Sequence, residues 1–262
     1  MKIDHKDSYK DFGKQFQKDK KIDGYWGSVD MLKDIVFPFD LSNINNKKIM
    51  EVGVGSGRIL KNLISFFPSK ATGIEPSEAI KVASKNINSK NVELLNIKGE
   101  DIKFNEEYDY IFSLGVIHHI PNYELVLQNI YKSLKKNGKF ILWVYGKEGN
   151  ELYLLIFNNL RRITILIPDL ILKFLSHLLN IISYPYELLC KYFPLPLSKY
   201  FVEVFGKCSF EKRSYIIFDQ LNPSYSKYFS KDELHVILKK TGFQNIQIHH
   251  RHGYSWTAIV EK

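Results

Sequence analysis

Apolar and polar positions change rhythm twice along the chain. Five short runs rich in β-branched and aromatic residues come first: Lys48–Val52, Ala71–Glu75, Val92–Ile97, Tyr108–Leu114 and Lys139–Tyr145. Turn residues flank them, which predicts five strands. Between them, apolar residues recur at three- and four-residue spacing. That spacing predicts helices over Arg58–Phe66, Ser77–Asn86 and Tyr123–Lys136, the last closed by Asn137-Gly138. Strands alternating with helices imply βαβ units and a mainly parallel sheet.

The rhythm breaks after the fifth strand. From Glu151 to about Tyr200 the chain is apolar on nearly every side of its predicted helices: Leu152–Phe157, Ile163–Pro168 and Leu170–Leu179. Helices of this kind are buried, or they face lipid or an apolar ligand. Arg161, Arg162, Asp169, Lys173 and Glu187 interrupt them. No run reaches the roughly 18 uncharged apolar residues of a membrane span. Alternation returns with a helix over Lys231–Lys240. Two strand-like runs follow, Ile246–Arg251 and Ser255–Val260, joined near His252-Gly253. They form a terminal hairpin, so at least one strand is antiparallel. The chain divides into an N-terminal cap (1–40), an α/β core (41–146 with 227–262) and an apolar helical insertion (147–226).

Composition narrows the class. Of 262 residues, 45% are hydrophobic and 25% charged, which excludes wholesale disorder. Cys190 and Cys208 are too few for a disulfide framework and suit a reducing, cytoplasmic setting. Met1–Lys21 alternates Lys and Asp and carries no apolar run of a secretory signal. The net charge of +9 points toward anionic partners. The lysines are dispersed among acids, however, with pairs such as Lys135-Lys136 as the longest basic runs. A solvated surface explains them better than a nucleic-acid footprint, so nucleic acid is the unfavoured partner.

The chemistry is concentrated at strand ends. Glu51-Val52-Gly53-Val54-Gly55-Ser56-Gly57-Arg58 is a glycine-rich turn between the first strand and the first helix. Glycines admit a tight turn and a close ligand, and the helix N-terminus after Gly57 favours a negative group. The spacing is GxGxG rather than the dinucleotide GxGxxG. Glu75 ends the second strand, where a carboxylate can accept both hydroxyls of a ribose. Glu100-Asp101 follows the third, where a carboxylate can accept from an adenine amine. Open α/β sheets bind ligands at these carboxyl ends.

With these motifs the chain resembles the class I S-adenosylmethionine-dependent methyltransferases, of the ubiquinone/menaquinone-biosynthesis-like group. The matching segments are Glu51-x-Gly53-x-Gly55-x-Gly57, Gly73-Ile74-Glu75-Pro76-Ser77, Gly99-Glu100-Asp101-Ile102 and Phe112–Pro121, which contains Ser113-Leu114 and His118-His119. The resemblance implies a Rossmann-like seven-stranded sheet with a reversed last strand, and S-adenosylmethionine as cofactor. It places Glu51, Gly53, Gly55 and Gly57 at the methionine end and Glu75 with Pro76 at the ribose. Glu100, Asp101 and the Ile102 backbone fall at the adenine, and Ser113 and the Leu114 backbone near the sulfonium. A nicotinamide dehydrogenase also uses an acid after its second strand, but leaves Glu51 and the Glu100-Asp101 pair unexplained.

The expected reaction is methyl transfer to a small acceptor, most simply an oxygen of a sugar or secondary metabolite, with His118 or His119 as general base. Candidate acceptor contacts are Asp219, Tyr225, Arg251, Tyr254 and Trp256. No metal site is expected: of His249, His250 and His252, only His250 and His252 share a strand face. The alternatives are a lipid or quinone methyltransferase at the membrane surface, a cofactor-binding module without catalysis and, less favoured, an RNA methyltransferase. Residues 147–226 are expected to build an acceptor lid, a peripheral membrane contact or a homodimer contact.

Overall fold

A computed structural model describes residues 24–164, 167–221 and 226–262. Seven strands form one sheet: β1 (Lys48–Val52), β2 (Lys70–Ile74), β3 (Val92–Leu95), β4 (Tyr108–Leu114), β5 (Leu134–Tyr145), β6 (Gln244–Arg251) and β7 (Ser255–Glu261), in the order β3-β2-β1-β4-β5-β7-β6. β1 to β5 pair in parallel, and β7 runs antiparallel to both β5 and β6. The terminal hairpin and its reversed strand are therefore as the sequence predicts. β1 sits where the strand order reverses, with β2 on one side and β4 on the other. A crevice opens beyond the carboxyl ends at such a point.

Helices cover both faces. They are α1 (Val29–Val36), α2 (Arg58–Ile64), α3 (Ile80–Asn86), α4 (Tyr123–Ser133), α5 (Glu151–Thr164), α6 (Asp169–Tyr192), α7 (Ser198–Glu203), α8 (Phe210–Leu221) and α9 (Lys231–Thr241). The sheet's period of two divides the core. Met50, Ile111, Phe140 and Leu142 pack on one side with Val126, Ile130 and Leu238. Ile49, Phe112, Ile141 and Trp143 pack on the other with Leu32, Leu60 and Ala83.

Several element ends shift by one to three residues, and the boundary between α4 and β5 differs in kind. α4 stops at Ser133, and Asn137-Gly138 lies inside β5 rather than closing the helix. Asn137 adopts a left-handed conformation (φ 62°) and donates its backbone N–H to the Lys262 carbonyl at 3.0 Å. The pair thus bends the start of β5 against the end of β7. Helix α9 carries a full capping box, Ser230 with Glu233, and ends at left-handed Gly242.

Between β5 and α9, the helices α5 to α8 pack beside the sheet rather than within it. Among the described residues, no helix is long and apolar enough to cross a membrane.

Candidate active site

A cavity of about 240 Å³ lies at the strand-order reversal. Its floor is the glycine turn after β1, and all three glycines there hold positive φ: 87° at Gly53, 55° at Gly55 and 87° at Gly57. At Gly53 a Cβ would fall 2.3 Å from a Val116 methyl, so only glycine admits the loop after β4 this close. Gly57 caps α2 and is kept small by Ala83 and Ile87 behind it. Gly53 and Gly55 line the cavity.

Two carboxylates stand on this floor. Glu75 is buried; its Oε2 accepts from the Gly55 N–H at 3.0 Å, and its Oε1 accepts from the Ser77 N–H and hydroxyl. Burial raises its pKa, while these hydrogen bonds oppose the rise. Glu51 is 1% exposed, and its Oε2 has no hydrogen-bond partner among the described residues. Burial holds its carboxyl well above the usual range, against the pull of the nearby Arg58 guanidinium. Arg58, itself drawn down to about 10 by burial, donates to the Trp26 carbonyl at 2.7 Å and sits over the Trp26 ring. Asn62 also donates, to the Gly27 carbonyl. These contacts bind the residues before α1 to α2 as one wall of the cavity.

The residues fit S-adenosylmethionine. An orphaned buried carboxylate is what an α-ammonium requires, and a carboxylate tethered at the end of β2 suits a ribose diol. Pro76 lines the same part of the wall, followed by Lys98, Gly99 and Glu100 beyond β3. Here the structure separates two neighbours: Glu100 lines the cavity, whereas Asp101 is exposed and lies outside it. Ile102 is buried in the core cluster. Ser113 is buried below the cavity and donates to the Val52 carbonyl, leaving Leu114, Gly115 and Val116 to form the wall.

The two histidines also part company. His119 lines the cavity. His118 is fully buried behind it, packed against the rings of His119, Tyr145 and Trp143, with both ring nitrogens unpartnered among the described residues. Burial, with His119 adding to it, pulls its pKa well below 6.5. A neutral imidazole without a route to the cavity cannot exchange a proton there, which leaves His119 as the candidate base.

Opposite the glycine turn, the wall is aromatic and comes from distant segments. β5 supplies Trp143 and Tyr145, the β6–β7 turn supplies Tyr254, and α8 supplies Lys212, Tyr215, Ile216, Asp219 and Gln220. Gln220 donates to the Tyr145 hydroxyl at 3.0 Å and accepts from Tyr153 at 2.6 Å, tying α5, α8 and β5 together. Arg251 does not line the cavity. It donates to the Tyr254 hydroxyl at 2.5 Å and pairs with Asp34 of α1, which also meets His252 at 2.9 Å. Trp256 is likewise behind the wall, with its indole N–H on the Phe229 carbonyl and its ring stacked on His250. Tyr225 lies outside the described residues, as do Tyr9, Phe12 and Phe16 of the N-terminal segment. Sequence reasoning missed Lys212, Tyr215, Gln220 and Asp34. The signal for Lys212 and Tyr215 was their three- and four-residue spacing with Asp219 along one helix face, with Gln220 beside Asp219.

Comparison with known proteins agrees with this geometry. Residues 50–142 match a family model described as a methyltransferase domain. A tRNA U34 carboxymethyltransferase of Nautilia profundicola is 29% identical over 113 residues, 42% of this chain and 38% of that protein. Its namesake from Sulfurimonas denitrificans is 32% identical over 115 residues, again 42% of this chain and 38% of that protein. The chain therefore spans about two-fifths of the length of these curated relatives. Among solved structures, human N-acetylserotonin methyltransferase in complex with S-adenosylmethionine superposes with a TM-score of 0.56 at 14% identity, covering 96% of this chain and 55% of that one. An S-adenosylmethionine-dependent methyltransferase from Mesorhizobium loti gives a TM-score of 0.55 at 10% identity, covering 92% and 100%. A sheet of this order, a glycine floor with a waiting carboxylate and a matching domain over 50–142 coincide at one crevice: residues 50–142 carry a methyltransferase domain, and the fold is that of the class I S-adenosylmethionine-dependent methyltransferases.

Proposed function

We propose that the chain transfers a methyl group from S-adenosylmethionine to an oxygen of a small acceptor. Enclosure is the observation that carries this reading. The cavity's far end is walled by β5, by α8 and by Met31 and Ile35 of α1, all of which contribute lining side chains. A concave wall of aromatic side chains with a few polar groups suits a compact, partly apolar molecule.

The bound cofactor supplies an electrophilic methyl group on a sulfonium sulfur. The chain's task is then positional. Glu51 and Glu75 hold the cofactor's amino-acid and ribose ends. Tyr145, Tyr254 and Tyr215 flank the acceptor. His119 takes the acceptor's hydroxyl proton as the oxygen forms its bond to carbon. Asp219 and Gln220 offer polar contacts that orient the hydroxyl. Tyr254 keeps its proton, since burial raises its pKa, and so it orients rather than abstracts.

A second reading takes an RNA acceptor. The relatives named as tRNA U34 carboxymethyltransferases favour it, as does the net charge of +9. The test is a purified-chain assay that follows S-adenosylhomocysteine release with phenols, sugars and prenylated quinols in one set and bulk tRNA in the other. Turnover confined to small acceptors supports the first reading. Turnover only with tRNA, weakened by salt, transfers the assignment to RNA. Cofactor binding without turnover in either set leaves a binding module.

A further inference from the structure

The longest helix of the structure is built inside out. On α6 the residues facing the protein are Leu172, Ser176, Asn180, Ser183 and Cys190, all buried, with Glu187 beside them. This polar stripe meets α8. Asn180 donates to the Ser214 hydroxyl and to the Phe210 carbonyl, both at 2.8 Å, and Glu187 pairs with the buried Arg213 at 2.7 Å. The opposite face is apolar and open. Leu170 (80% exposed), Phe174 (70%), Ile181 (57%), Leu188 (55%) and Tyr192 (75%) lead it. Monomeric soluble domains seldom expose a continuous apolar face of this length.

We propose that this face of α6 docks on the surface of an anionic lipid bilayer. Charge selects the occupant. Helical spacing places Lys173, His177 and Lys191 along one edge of the apolar face, and all three are exposed. The half-buried Glu187 on that side is held by Arg213 at 2.7 Å and by Lys191 at 3.6 Å, two cations to one carboxylate, so the edge keeps a positive excess. A second copy packed antiparallel about a two-fold axis would set the lysine edge against its own image. An anionic headgroup layer answers it, with apolar side chains below and lysines reaching outward, the pattern of a helix lying in a membrane interface. α6 is about 36 Å long by its residue count, so it lies along the surface. Because α6 and α8 both lie between the bilayer and the cavity, docking holds the cavity about two helix spacings, ~20 Å, from the bilayer. The proposal stands whatever the acceptor proves to be.

The experiment is vesicle flotation of the full chain, without cofactor, on phosphatidylglycerol–phosphatidylcholine and on pure phosphatidylcholine vesicles. Binding to the anionic vesicles is expected, with about tenfold or greater loss in the combined Phe174→Ser, Leu178→Gln, Ile181→Ser variant. These side chains face outward, so its melting temperature and S-adenosylmethionine affinity stay unchanged. Should that variant fail to fold, Phe174→Ser and Ile181→Ser singly give the same direction. Lys173→Glu with Lys191→Glu should remove the preference for anionic vesicles. Wild-type indifference to anionic vesicles overturns the proposal. So does equal binding by the apolar variant. A wild-type dimer that the apolar variant splits, with no vesicle binding by either, makes a second copy the occupant. Retention by tRNA instead, lost with the lysine variant alone, makes RNA the occupant.

Discussion

Glu75 and Gly55 meet across the cavity floor: the carboxylate at the end of β2 accepts the backbone N–H of the glycine turn at 3.0 Å. This bond fixes both the turn and the carboxylate, so the two cofactor-facing parts of the floor are one unit. Glu75→Ala removes the acceptor and leaves the Gly55 and Ser77 N–H groups to be satisfied by others. Hydrogen bonds to a charged group contribute roughly 1.5–3 kcal/mol each. Calorimetric titration should therefore show S-adenosylmethionine binding weakened by about ten- to hundredfold, on a scale of 1.4 kcal/mol per tenfold. Glu75→Gln, which keeps one acceptor oxygen, should lose less. Unchanged affinity in a folded Glu75→Ala variant would detach Glu75 from the cofactor.

His118 makes stability depend on pH. The folded state holds it neutral, while in the unfolded chain it titrates near 6.5. As pH falls, the unfolded chain takes up the proton first. Its contribution is thus present above about 6.5 and is lost below, at up to ~1.4 kcal/mol per pH unit. Glu51 and Glu75, raised by burial, bend the curve the other way from the usual carboxylate range upward. The difference between wild type and His118→Phe isolates the histidine, since a phenyl ring keeps the packing on Tyr145 and His119. Denaturant unfolding at pH 7.5 and pH 5 (about 1 unit above and 1.5 units below the unfolded-chain titration) should show a smaller acid loss in the variant. An identical loss would mean that His118 is reached by protons in the folded state.

Legibility in the sequence followed periodicity. β1 and β4 are found residue for residue because each is a compact apolar run ending at glycine. The hairpin was equally plain from its joint near His252-Gly253, and α9 from the pattern that returns over Lys231–Lys240. Asn137-Gly138 misled because a left-handed pair can close a helix or bend a strand, and the Lys262 contact that decides between them is 125 residues away along the chain. Glu100 and Asp101 could not be separated, since the short turn after β3 aims adjacent side chains to opposite sides. The polar stripe of α6 was hidden for a different reason: Ser176, Asn180 and Ser183 are small, and their apolar neighbours dominate any pattern. The acceptor wall from α8 depends on tertiary packing of a segment whose spacing alone suits any amphipathic helix.

Asp34 anchors the acceptor side from a helix that does not itself look catalytic. Burial works against its charge, yet the hydrogen bonds and charges of His252 and Arg251 hold its carboxyl below the usual range. Arg251 is almost fully buried, with its side chain 5% exposed, and it in turn holds the Tyr254 hydroxyl. Asp34→Asn leaves that guanidinium without its counter-charge, a change that costs about 3 kcal/mol when a buried pair is broken. Urea unfolding should show a loss of this order, and Arg251→Ala should show a comparable one. The double variant should lose less than the sum, because each substitution removes the same pair. Strict additivity would mean that Tyr254, not Asp34, is the partner that matters to Arg251.

The last prediction concerns the base. His119 lines the cavity beside Tyr145, whereas His118 is sealed behind both rings. If His119 accepts the proton of a hydroxyl acceptor, His119→Ala should lower kcat by about 10²- to 10⁴-fold, the range of a positioned general base. S-adenosylmethionine affinity should hold, because Glu51 and Glu75 carry it. The pH profile supplies the second readout. Wild-type kcat/KM should fall on the acid side as a histidine becomes protonated, and the His119→Ala profile should lose that limb. His118→Phe should keep it, since a permanently neutral ring contributes no titration to the rate. A His119→Ala enzyme with wild-type kcat and an unchanged acid limb would remove the base from this position. The acceptor's nucleophile would then be one that needs no deprotonation in the cavity.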